Sequence, residues 1–208
     1  MSTIITRLFD TFEQAERAVT QLESVGVAKG DISIVSHHNE RDHPNASVRE
    51  PRESTASEAA GRDAGVGAAL GGVIGAGGGV LAGLGLLAIP GLGPVIAAGW
   101  LASAAVGAVV GGAVVAGAGG LVGALTHADV SQQEADVYAE AVRRGGTLIS
   151  AKVDDDHIAA AETALDNAGY VDVAARGAYY RSTGWDKFDE NADPYTDAEI
   201  VRERSTVI

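Results

Sequence analysis

The apolar positions of this 208-residue chain change their period along its length, and each period predicts a different kind of element. IITRLF (4–9) is a β-branched run suited to a strand. Asp10-Thr11-Phe12-Glu13 follows as an N-cap with an acid three residues on, and Ala15, Ala18, Val19, Leu22 and Val25 then recur at helical spacing until Gly26 stops them. ISIVS (32–36) returns to strand character, so 1–37 reads as a β-α-β half.

The same alternation returns near the other end. Ser131-Gln132-Gln133-Glu134 is a capping box for a helix carrying Ala135, Val137, Tyr138, Ala141 and Val142, which ends in Arg143-Arg144-Gly145-Gly146. TLISAKV (147–153) is a strand, Asp154-Asp155-Asp156 stands where acids complement a helix start, and Ile158, Ala161 and Leu165 mark the next apolar face up to Gly169. VDVAA (171–175) is expected as a last short strand. Residues 131–177 thus give an amphipathic helix plus a second β-α-β half. The two halves predict an α+β fold: a ferredoxin-like β-α-β-β-α-β domain, two helices on one face of a four-stranded sheet.

What lies between the halves follows neither period. Residues 38–57 mix charges of both signs with Pro44 and Pro51 and read as a polar linker. From Ala64 to Ala128 there is no Asp, Glu, Lys or Arg, and 20 of the 28 glycines lie there. Glycine recurs every fourth residue at Gly67, Gly71, Gly75, Gly79 and Gly83, and less strictly at Gly99, Gly107, Gly111, Gly119 and Gly123. Each helix-interior glycine costs about 1 kcal/mol relative to alanine, so such a stripe is sustained only where another backbone packs against it. The expectation is a glycine-zipper helical hairpin over 58–127 whose turn, at 89–95, is set by Pro90, Gly91, Gly93 and Pro94. Two arms of this length and neutrality fit a membrane hairpin; a soluble assembly burying several hairpins in its core is the alternative.

Charge and composition narrow the chemistry. A net charge of −13 argues against a nucleic-acid partner. With no cysteine, thiol catalysis and Cys-based zinc sites are excluded. His37, His38 and His43 lie on an extended segment where neighbours point apart, so no metal is expected, and no glycine-rich loop combines with a strand and helix as a nucleotide site requires. No Ser/His/Asp set has supporting spacing. The reading is therefore of a non-enzyme without a cofactor. The charged N-terminus lacks the apolar core of a signal peptide, which points to a protein that is not secreted.

The last segment, 178–208, holds Tyr179, Tyr180, Trp185, Phe188 and Tyr195, half of all the aromatics, and Thr196-Asp197-Ala198-Glu199 caps a short terminal helix. Such side chains anchor contacts, so 178–208 is expected to dock on the chain's own sheet or on a neighbouring subunit.

Three stretches carry a family likeness: TRLFDTFEQAERAVTQLESVGVAKGDISIVS, LAIPGLGPVIAAG and ADVYAEAVRRGGTLISAKV. In these the chain resembles the general stress protein 17M (YflT-like) family and related glycine-zipper, low-temperature-induced bacterial membrane proteins. The resemblance implies a bacterial stress-associated protein with no assigned catalysis. Together with the residue pattern it gives the expected function: self-assembly through the glycine-zipper hairpin at or in the cytoplasmic membrane, with the α/β domain in the cytoplasm. The partners are further copies of the chain and lipid. A large soluble homo-oligomer and a ligand-sensing module built on the ferredoxin-like domain are the alternatives.

Overall fold

A computed structural model gives the protein's structure and describes residues 2–38, 85–89, 91–110 and 120–207. Alternating burial places its strands. In β1 (Ser2–Phe9), Ile5 and Phe9 face one side and Leu8 the other. In β2 (Ile32–His37) the split is Ile32 and Ile34 against Val35, and in β5 (Thr147–Asp154) it is Ile149, Ala151 and Val153 against Leu148. With β3 (Gly85–Ile89) and β4 (Gly93–Ala98) they form a five-stranded sheet in the order β1-β5-β2-β4-β3, antiparallel at every junction. The molecule is α+β.

Both faces of the sheet are covered. On one side α1 (Phe12–Ser24) and α5 (Ile158–Ala168) pack on each other and on β1 and β5, closing a core of Phe9, Leu22, Ile32, Ile149 and Leu165. On the other side lie α2 (Trp100–Val110), α3 (Gly120–His127), α4 (Gln132–Arg143) and α6 (Val173–Ser182). There Leu101, Leu121, Leu125 and Val142 meet Leu8, Val35, Val95 and Leu148. A last helix, α7 (Asp197–Val207), ends the described chain.

Local signals set most helix ends. Ser131 caps α4 through the Glu134 N–H, and Gly169, at φ 79°, ends α5 in the left-handed conformation. The cap of α1 lies one residue beyond the expected one. Thr11 and Gln14 form the capping box, while Asp10 takes an ion pair to Arg176 at 2.6 Å. Asp154 makes no side-chain cap, and Asp155–His157 form a 3-10 turn before α5.

Two expectations are corrected. VDVAA is no strand: Val171 makes one isolated bridge to Leu8, then Asp172 accepts the Ala175 N–H at 2.9 Å and starts α6. An N-capping acid ahead of two alanines favours helix over a fifth residue of edge pairing. The turn of the glycine-rich zone joins two strands rather than two helices. The Leu92 N–H closes it on the Ile89 carbonyl at 3.0 Å, with Gly91 and Gly93 at φ 75° and 76°. The prolines bar a helix here, and Leu86, Leu87 and Ile89 before them and Val95 and Ile96 after them suit the pleat.

The second arm is consequently not one helix from 95 to 125. It is β4, a corner at Gly99, then α2 and α3 side by side. Gly99 has φ 88°, and a Cβ there would meet the Ile32 carbonyl oxygen at 2.5 Å, so this glycine serves a sharp strand-to-helix corner. Gly107 lies in α2 and Gly123 in α3. Gly67, Gly71, Gly75, Gly79, Gly83, Gly111, Gly119 and Pro90 lie outside the described residues, as do 58–84 of the first arm and nearly all of the linker; the end of that arm, from Gly85, is β3. Among the described residues no helix is long and apolar enough to cross a membrane.

Candidate functional site

The densest polar arrangement forms at the last turn of α4, where the helical repeat brings Glu140, Arg143 and Arg144 to one end. Glu140 is fully buried. Its Oε1 accepts from Arg143 Nη2 at 2.9 Å and from Arg144 Nε at 2.6 Å, and its Oε2 lies 2.7 Å from Arg143 Nη2. A carboxylate taken out of water this completely is held only because two guanidinium groups meet it.

The C-terminal segment closes over this group. Arg144 Nη1 donates to Glu203 of α7 at 2.8 Å, and Arg204 Nη2 donates to the Gly145 carbonyl at 2.7 Å. The Arg144 guanidinium lies over the Tyr180 ring at 4.2 Å and near the Tyr195 ring at 5.3 Å; Arg143 lies 5.4 Å from Tyr195 and 5.8 Å from Phe188. Burial opposes the charge on Arg144, but the hydrogen bonds to Glu203 and Glu140 outweigh it and raise its pKa. Arg176 is raised in the same way: burial is outweighed by its bond to Asp10. Tyr180, almost wholly buried, is pushed up to about 12, chiefly by that burial.

The aromatic residues singled out in the sequence are thus brought together. Tyr180 packs against Tyr179 and Trp185 with ring centroids 5.9 and 5.8 Å apart, and Trp185 and Phe188 lie on the core beneath α4. The hairpin turn joins them. A Cβ on Gly91 would meet the Glu190 backbone at 2.6 Å and Phe188 at 2.9 Å, and one on Gly93 would meet Pro194 at 2.6 Å. Turn glycines and tail are one contact, which linear spacing could not show.

Between these groups remains a space of about 10 Å³, lined by Asp10, Arg144, Arg176, Tyr180, Glu203 and Arg204. That is the size of one water. His37 is buried nearby at the end of β2, and its pKa is lowered, mainly by burial, against the attraction of Asp197 in α7. Chemically the group is a lock of matched charges. Among the described residues no cluster of three or more His, Asp or Glu could hold a metal ion. A larger groove, about 400 Å³, runs beside β1 between Ser2–Arg7 and Ala128–Tyr138.

Sequence reasoning took Arg143-Arg144 for a dipole-complementing helix end and passed over Glu140. The available signal was an acid three and four residues before two arginines, within the otherwise apolar run Val137–Val142. Compared with protein-family models, curated proteins and solved structures, the chain matches none.

Proposed function

We propose that this is a non-catalytic, stress-associated bacterial protein whose α/β domain carries a glycine-rich zone through which copies self-associate. The family resemblance supplies the stress context. We read the frame as ferredoxin-like: the packing of α1 and α5 on one face of β1, β5 and β2 supports this, with the isolated Val171 bridge in the place of a fourth strand and the β3–β4 hairpin added at the opposite edge.

One observation carries the assembly reading. α2, WLASAAVGAVV, has no charged residue around its whole circumference, and among the described residues it packs mainly on β2, β4 and α3, with Lys152 of β5 over the Trp100 ring. A helix apolar all round in water needs cover on every side. At about 1.5 Å per residue its 11 residues reach roughly 16 Å, half a hydrocarbon core, which favours a protein-filled environment for this part of the zone. Membrane association is the second reading, supported by the lack of charge from Ala64 to Ala128.

Gly107→Leu tests the proposal because a bulky side chain on α2 blocks close helix approach. Its sedimentation mass falls below that of the unsubstituted chain while the circular dichroism spectrum is kept; an unchanged mass contradicts the assembly reading. Fractionating expressing cells separates the two settings, since a membrane protein pellets and needs detergent whereas a soluble particle stays in the supernatant.

A further inference from the structure

Among the described residues, β1 leaves one of its edges open. It is an outer strand of the sheet, with odd-numbered residues bonded to β5, so Ser2, Ile4, Thr6 and Leu8 turn their N–H and C=O groups outward. The Leu8 carbonyl accepts from Val171 at 2.7 Å; the Thr6 carbonyl accepts from Arg7 Nη1 at 3.0 Å and the Tyr138 hydroxyl at 3.3 Å. Among the described residues, Ser2 and Ile4 have no backbone partner on this side. The groove of about 400 Å³ lies along this stretch. Exposed edges are ordinarily guarded by lysine, proline or a bulge, and Ser2-Thr3-Ile4-Ile5-Thr6 has neither charge nor proline.

We propose that this edge pairs with the same edge of a second copy, antiparallel about a twofold axis at Ile4, joining two sheets into one continuous sheet. Three features select a second copy over an unrelated peptide. The outward residues are self-complementary, Ser2 standing opposite Thr6 of the second copy and Ile4 opposite Ile4, each pair exchanging two backbone hydrogen bonds. The free stretch ends where Val171 takes Leu8, which stops the pairing at the length the twofold needs. The charges also match. α4 rises beside β1, with Tyr138 at Thr6 and Gly146 beside Leu8, so Glu134 and Asp129 stand toward the start of the strand. The twofold carries each Arg7 to that end of the other copy. When the Ser2 N–H of the second copy takes the Thr6 carbonyl, Arg7 is released to those carboxylates.

The chain has no cysteine, so single cysteines report the register directly. Directly opposed, hydrogen-bonded residues have Cα atoms about 5.5 Å apart, within the span of roughly 4.4–6.8 Å that a disulfide bridges. Under mild oxidation of the full chain at micromolar concentration, Ile4→Cys gives a covalent dimer on a non-reducing gel. Ser2→Cys, whose two copies are about 14 Å apart in this register, stays a single chain, and the double variant Ser2→Cys/Thr6→Cys links again. Absence of the Ile4→Cys dimer overturns the proposal, whether the edge is empty or held by something else. Equal linking by Ser2→Cys overturns it too, since it would mark random collision. This surface is separate from α2, so Gly107→Leu leaves the Ile4→Cys dimer intact, and either assembly claim can fail without the other.

Discussion

Glu140 is the residue on which the polar end of the molecule turns. Replacing it with alanine leaves Arg143 and Arg144 buried without their carboxylate, and breaking a buried pair in this way costs about 3–5 kcal/mol. Urea unfolding of Glu140→Ala measures that loss, with Arg17→Ala, whose exposed partner is Glu13, as a control expected within about 0.5 kcal/mol. Gly99→Ala forces a Cβ toward the Ile32 carbonyl at a positive φ and is expected to cost about 1–3 kcal/mol in the same assay. Tyr138 and Tyr180 tie stability to alkaline pH. Burial pushes both up to about 12 from an ordinary value of about 10, so the fold holds their protons more tightly than the unfolded chain does. Their contribution is complete below about pH 10 and is lost as pH rises toward 12. Tyr138→Phe loses the bond to the Thr6 carbonyl, about 1 kcal/mol, and flattens the fall in thermal midpoint over that range.

At the scale of elements, the chain's own signals were legible wherever one residue's chemistry decided the outcome. Ser131 caps α4 and Gly169 ends α5 because those ends depend on a hydroxyl and on a left-handed glycine, both visible in the sequence. Periodicity located β1, β2, β5, α1 and α5. It failed in the glycine-rich zone, where Leu, Val, Ala and Gly suit buried strand and buried helix alike; the sheet edge offered by β2 decided for strand at Gly93–Ala98. The polar lock was illegible for another reason. Glu140 and Glu203 are 63 positions apart, and nothing local links them until Arg144 stands between them. The tail's role follows from α7: Ile200 is fully buried against Gly145, whereas its neighbour Val201 is 49% exposed. Ile200→Ala is therefore expected to cost about 2–5 kcal/mol and Val201→Ala less than about 0.5, read by thermal and urea unfolding.

For the whole molecule, the two helical layers and the docked tail use up the charged groups of one end. Two features are proposed to meet partners: the uncharged zone of the sequence and, among the described residues, the open edge of β1. We propose that both serve association of like chains. Sedimentation equilibrium of the full chain, in buffer without detergent and across micromolar concentrations, tests this most directly. The account predicts a mass that is a multiple of the 21.0 kDa chain and that falls for Gly107→Leu. A particle of 21.0 kDa at every concentration would contradict it.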